Sequence, residues 1–345
     1  MNLREKLIKK IKKPIRIDKF ISFSLFDKNS YYLSQNPIGQ SKDFITSPEI
    51  SQLFGEILGA YILNYWIKNI KSSFNLIELG PGKGTLLNDI LKTAKLNNNF
   101  IKNADIKLIE KNKKLIKIQK ENFDKLNLKK IKWLDYFKIN NNKPSIIYSN
   151  EFFDCLPIRQ FYKKSDWYEK FVKYDKDLDI FSVLDKRVTS AKDLKELSRY
   201  EKYGIAELSH DREKIFQTLC KHIVKNKGII ILIDYGYKDP IRNFTLQFIS
   251  RHQKTHIFEN IGEQDISSLV NFEKLINITS KYKLKVAEFC TQKDFLISNG
   301  IITRKNFLKK NTNEKEKRII EEGFDILTNN NKMGKHFKVL IISSL

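Results

Sequence analysis

The 345-residue sequence predicts an α/β protein built on a Rossmann-like sheet of seven strands, with an N-terminal extension and an inserted lid. Three observations carry that expectation. Short apolar runs alternate with helical repeats through the middle of the chain, the order that builds parallel sheets. The stretch "NLIELGPGKGTLLNDIL", residues 75–91, sets three glycines at alternate positions between an apolar run and a helical repeat. Acidic residues recur at the carboxyl ends of the apolar runs, where open α/β sheets bind ligands.

The elements follow in order. Residues 1–70 read as a helical extension covering a cofactor and substrate site, and residues 71–345 as the core, with insertions at about 160–206 and 236–266. The opening "MNLREKLIKKIKKPIRIDKF" is basic, with Leu3, Leu7, Ile8 and Ile11 at helical spacing. Its Glu5, and the lack of serine or a long apolar stretch, favour a solvated first helix over a presequence or membrane-surface helix. Leu76, Ile77 and Leu79 form the first strand, and Thr85, Leu86, Leu87, Ile90 and Leu91 a helix. A second strand at about 106–109 ends in Glu110 and is followed by a helix carrying Leu115, Ile118 and Gln119. The third, "KKIKWLDYF", ends in Asp135, with Trp133 expected in the core.

"SIIYSNEFFDCLPIRQF" is the fourth strand, with Asn150, Glu151 and Asp154 gathered at its end. A strand-like piece with Glu207 precedes a helix from about Asp211, its expected cap, to Lys225. The fifth strand ends in Asp234, Tyr235 and Gly236. "DISSLVNFEKLINITSKY", "LKVAEFCTQ" and "HFKVLIIS" add a helix and two strands, the late segment returning antiparallel.

Composition narrows the class. The chain is 41% hydrophobic, yet no apolar run approaches the roughly 20 residues of a membrane-spanning helix. Cys155, Cys220 and Cys290 are widely spaced, so neither a disulfide nor a metal framework is expected. His252 and His256 lie four apart in "HQKTH", which lacks the Glu of a zinc hydrolase motif. A net charge of +24 suits nucleic acid, anionic membranes or acidic proteins alike, but lysine is spread through the whole chain with abundant Ile and Asn. The bias reads as compositional.

The glycine turn decides among nucleotide sites. A P-loop needs Lys followed by Ser or Thr, and here Gly84 follows Lys83. A dinucleotide fingerprint needs G-x-G-x-x-G, and Thr85 stands where its last glycine belongs. What remains is an acid, Glu78, two positions before G-x-G-x-G, the arrangement of S-adenosylmethionine sites in Rossmann-like methyltransferases. Gly80, Gly82 and Gly84 would let the backbone approach the cofactor. Glu78 suits its ammonium group, Glu110 its ribose hydroxyls, Asp135 its adenine amino group, and Asn150 lies at the next strand end. Glu151 and Asp154 are the expected catalytic acids, able to orient a guanidinium and take its proton, and Glu207 is a third candidate. No metal is expected.

Several stretches together resemble the MidA family of S-adenosylmethionine-dependent methyltransferases. They are "KDFITSPEISQLFGEILG" (42–59), "IELGPGKGTLLNDIL" (77–91), "SNEFFDCLPIRQF" (149–161), "LIDYGY" (232–237), "TQKDFLISNGI" (291–301) and "MGKHFKVL" near the end. The resemblance implies a class I methyltransferase fold and S-adenosylmethionine as cofactor. The family includes the mitochondrial arginine methyltransferase needed for complex I assembly, so it also implies a protein arginine acceptor, in the quinone-site subunit of complex I. The implied compartment is the cytoplasm of a bacterium or the mitochondrial matrix of a eukaryote. Leu269 and Asn271 stand where relatives tend to carry His and Asp, so no acid or base role is expected there. The alternatives are an RNA methyltransferase using the basic surface and a non-catalytic assembly factor that keeps the fold.

Overall fold

The structure, a computed structural model, describes residues 2–34, 46–124, 131–250, 253–310 and 312–344. His252 and residues 42–45 of the first family-like stretch lie outside them. Among the described residues seven strands form the main path of the central sheet, β1 (Phe74–Leu79), β2 (Ala104–Ile109), β3 (Ile131–Leu134), β4 (Ser145–Asn150), β5 (Gly228–Tyr237), β6 (Lys285–Thr291) and β7 (Phe337–Ser343), and a short eighth, Val270–Asn271, pairs with the end of β5. The spatial order of the seven is β3-β2-β1-β4-β5-β7-β6. The first five run parallel, and β7 is antiparallel to both its neighbours. This is the seven-stranded class I arrangement, with the expected antiparallel return.

Residues along each strand alternate between two cores, as a pleat requires. Leu76, Ile146, Tyr148, Ile231 and Ile233 pack against α1 (Gln52–Tyr65) and α2 (Thr85–Ala94) on one face. Ile77, Ile147, Ile230 and Leu232 pack on the other against α4 (His210–Asn226) and α5 (Phe272–Lys281). The intervening α3 (Lys113–Asp124) sends Phe123 into the first core. Because both faces are covered, β1 is buried over its whole length.

A second, antiparallel sheet is built from Arg159–Lys163, Trp167–Asp175, Ile180–Arg187 and Ile205–Leu208. The N-terminal strand Ile15–Arg16 joins it, pairing Ile15 with Val172. Helix Ile17–Phe26 then packs Phe20, Ile21 and Leu25 against Val172 and Phe181. The strand bearing Glu207 thus belongs to this sheet and not to the central one. One local reading is corrected and another extended. Ser209, not Asp211, caps α4, its hydroxyl accepting the Arg212 N–H at 3.3 Å. Trp133 packs on the core but also donates its indole N–H to Gln119 at 2.7 Å. Among the described residues no helix is long and apolar enough to cross a membrane, and no group of three His, Cys, Asp or Glu could hold a metal.

The register that positions the site begins at Gly228, which pairs with Ser145 and brings Ile233 opposite Asn150. Its φ is +131°, and a Cβ there would lie 1.9 Å from the Ser145 carbonyl oxygen. Gly228→Ala is therefore expected to destabilise the fold by about 2–4 kcal/mol. Chemical denaturation checks this, and an unchanged midpoint would contradict it.

Candidate functional site

A cavity of about 600 Å³ opens at the carboxyl ends of β1, β2 and β4. Gly80, Gly82 and Gly84 have φ of +64°, +56° and +82°, so each sits where a side chain is strained. Gly80 and Gly82 line the cavity. A Cβ on Gly80 would come within 2.8 Å of the Phe152 ring. The Gly82 carbonyl is fixed by the Gln119 side-chain amide at 2.7 Å, the same Gln119 that holds Trp133. Gly84 does not line the cavity. It caps α2, and a Cβ there would lie 2.5 Å from the Phe123 ring, so packing accounts for this glycine.

The acids at the strand ends divide by environment. Glu78 is buried in the cavity wall, accepts the Tyr148 hydroxyl at 3.1 Å, and burial pushes its pKa up to about 8. Glu110, one residue past β2, accepts the Asn112 N–H at 2.8 Å, and burial raises it to about 7. Asp135 also lines the cavity but is exposed. Asn150 donates its amide to Glu151 at 2.9 Å, while its Oδ1 is buried without a partner among the described residues.

Glu151 lines the cavity at the end of β4 with φ +51°, a conformation uncommon for a residue other than glycine. Its carboxylate accepts from Asn150 and from the Ser47 N–H at 3.3 Å. Burial, then the nearby Asp154 charge, push its pKa up to about 8. The following turn is clamped from two sides. One oxygen of Asp234, Oδ2, accepts the N–H groups of Phe152, Phe153 and Asp154 at 3.2, 2.8 and 3.3 Å. The buried Arg212 guanidinium donates to the carbonyls of Phe153, Asp154, Ser268 and Leu269. Burial also raises Asp154, to about 6, with Arg212 opposing, and moves Asp234 up well beyond the ordinary carboxylate range.

Of the three expected catalytic acids, the structure brings only Glu151 to the cavity wall. Asp154 is in the adjoining turn and outside the lining. Glu207 is buried in the second sheet, where it accepts Gln160 at 2.8 Å and the backbone and hydroxyl of Thr245. An acid on a strand-like piece carries no sequence signal of which sheet it joins, and this one closes a structural network away from the cavity.

The sequence reading missed contributors from the N-terminal region. Glu49, in the short helix Ser47–Ile50, faces the cavity and accepts the Thr85 hydroxyl and the Lys83 ammonium. Pro48 followed by an acid is a helix-start signal that could have drawn attention to it. Phe26 and Tyr32 also line the cavity, and nothing in their sequence spacing announces it.

These features fit S-adenosyl-L-methionine. Glu78 and the unpartnered Asn150 Oδ1 are acceptors suited to an ammonium, Glu110 to paired hydroxyls, and the cavity-facing glycines leave room for close backbone approach.

Comparison with known proteins agrees. Residues 57–290 match the model of a family described as "Putative S-adenosyl-L-methionine-dependent methyltransferase". The mitochondrial protein arginine methyltransferase NDUFAF7 of Mus musculus is 32% identical over 335 residues, covering 89% of this chain and 76% of that protein. The Homo sapiens protein of the same name is 31% identical over 335 residues, with 89% and 75% covered. In fold the chain is similar to a Burkholderia thailandensis protein crystallised with S-adenosyl-homocysteine, with a TM-score of 0.86 at 21% identity, covering 99% of this chain and 91% of that one. The chain belongs to this family of S-adenosyl-L-methionine-dependent methyltransferases, of the MidA type, and S-adenosyl-L-methionine is its cofactor.

Proposed function

We propose that the methyl acceptor is an arginine side chain of a protein, with Glu151 as the catalytic acid-base group. The observation that carries this reading is the acidity of the cavity end at β4. Glu151 is influenced there by Asp154 and Asp265, and the Arg212 guanidinium beside Asp154 is spent on backbone carbonyls. Such a site favours a cation and disfavours a phosphate backbone. The names of the mouse and human relatives support the same acceptor class.

When bound, S-adenosyl-L-methionine supplies a methyl group activated on a sulfonium. Glu78, Glu110, Asp135 and Asn150 would hold the cofactor, and Gly80 and Gly82 would leave room for it to approach the backbone. A carboxylate at Glu151 pairs with the planar guanidinium, aligns one nitrogen, and accepts the proton released on methylation. Asp154 adds negative potential from the adjoining turn. An arginine above pKa ~12 does not lose its proton unaided, so this acceptance matters most in the transition state. The proposed substrate is a respiratory complex I subunit, the quinone-site subunit first among them. The compartment is then that of complex I assembly, the cytoplasm of a bacterium or the matrix of a mitochondrion.

The deciding experiment is methylation of that subunit, and of the same subunit with the target arginine replaced by lysine, followed by mass spectrometry. Label in arginine supports the reading. Transfer to RNA, lost with ribonuclease and resistant to protease, overturns it, and binding without any turnover would favour an assembly role alone.

Three variants test the assignments. Gly82→Val is expected to abolish cofactor binding in calorimetric titration, because a β-branched residue is strained at φ +56° and would disturb a turn that lines the cavity. Glu110→Ala should weaken the cofactor by about 1–3 kcal/mol through lost hydrogen bonds to a charged acceptor. Glu151→Gln should slow single-turnover transfer by about 10²-fold or more with cofactor affinity nearly unchanged.

A pH series adds an independent check. Glu151 is protonated below its raised pKa of about 8, whereas a guanidinium binds the carboxylate. At saturating cofactor the acceptor KM should therefore fall as pH rises from about 6 to 8, and Glu151→Gln should flatten that slope.

A further inference from the structure

We propose that Phe26 and Tyr32 form an aromatic wall that selects the acceptor side chain, an inference that rests on the arginine reading above. Both rings come from the N-terminal region, both are half-buried, and both line the cavity that Glu151 lines. They stack on each other at a centroid distance of 5.8 Å and an interplanar angle of 17°.

Tyr32 is fixed along its length. Its carbonyl accepts the Asn112 side-chain amide at 2.8 Å, two residues past Glu110. Its hydroxyl donates to Asp265 at 2.7 Å. The wholly buried Tyr31 ring stands nearly perpendicular to the Tyr32 ring, with the centroids 5.1 Å apart. The side chain therefore runs from the Glu110 side of the cavity toward the turn after Glu151. Burial, then the Asp265 carboxylate that accepts the Tyr32 hydroxyl, push its pKa well above the ordinary phenol value, and the same Asp265 acts on Glu151.

The chemistry of the wall matches its neighbours. The negative face of an aromatic ring attracts a cation, and a flat guanidinium can lie along it while its edge meets a carboxylate. The ring surface that Phe26 and Tyr32 do not spend on their mutual stack would offer the face, and Glu151 the edge partner. Lysine has a compact, strongly hydrated ammonium that gains less from a stacked surface, so the wall discriminates by shape as well as charge. Phe26 and Tyr32 act as specificity-determining residues, and the proton transfer is left to Glu151.

The test compares KM for an arginine-containing acceptor, kcat, and the dissociation constant for S-adenosyl-L-methionine in the full chain. Phe26→Leu keeps apolar volume but loses the ring, and should raise acceptor KM about tenfold with cofactor affinity within about twofold. Phe26→Trp should restore the parental KM. Tyr32→Phe keeps the ring and should leave KM near the parental value, whereas Tyr32→Leu should raise it as Phe26→Leu does. If Tyr32→Leu fails to fold, the Phe26 pair alone decides.

Unchanged acceptor KM in Phe26→Leu, with the parent methylating arginine, overturns the aromatic wall and leaves the arginine reading standing. Weakened cofactor binding with unchanged acceptor KM overturns it too, by assigning the rings to the cofactor. A parent that methylates no arginine acceptor overturns both.

Discussion

One buried carboxylate, Asp234, joins the end of β5 to the turn that leaves β4, and the active end of the cavity depends on it. Three consecutive N–H groups at Phe152, Phe153 and Asp154 point inward and would be costly if unpaired. Asp234 satisfies them with one oxygen, and Arg212 takes up carbonyls of the same turn from the opposite side. The turn is thereby held by groups from two separate elements, which allows Glu151 to keep its positive φ without local help. Ser268 joins the same clamp through its own N–H, bonded to the Asp154 carbonyl at 3.0 Å. A site built this way gains rigidity from buried polar pairing, where each lost partner leaves another group unsatisfied.

Much of the central architecture was legible in the sequence because its cause is local. Alternating apolar residues mark strands buried on both faces, and three glycines between a strand and a helix mark a turn that needs positive φ. The positions of three cavity-lining acids were legible for different local reasons, Glu78 standing two residues before the glycine turn, Glu110 directly after an apolar run, and Glu151 in the polar cluster that closes the fourth strand. Other assignments depended on direction, which spacing does not carry. Asp154 lies three residues beyond Glu151, yet the turn carries it out of the lining. Glu207 looked equivalent to the other strand-end acids, but its strand pairs with Arg159–Lys163 in the second sheet. The cover was least legible. Phe26, Tyr32 and Glu49 reach the cavity through contacts with residues far along the chain, such as the Tyr32–Asp265 bond.

Surface and cavity have opposite electrostatic character. The chain carries a net +24, with Lys83, Lys111 and Lys214 at the cavity lining, while the end near Glu151 is governed by carboxylates. Screening separates the two influences, since exposed charges fade over roughly 8–10 Å at physiological salt. A cationic side chain reaching the floor would therefore respond mainly to nearby acids. Burial raises the pKa of Glu151, Asp154 and Asp234, which lessens the repulsion among these clustered acids.

The pairing of Ile15 with Val172 has a consequence for biogenesis. During synthesis the N-terminal strand and the helix after it emerge well before the hairpin they dock on, and the cavity cover cannot close until that hairpin has been made. Apolar side chains such as Phe20 and Leu25 stay without their native partners for that interval, when nascent chains are most prone to wrong contacts. Lys9, Lys10, Lys12, Lys13 and Lys19 lie beside or within this apolar segment, and charges so placed oppose its association with other chains in the interval before it docks.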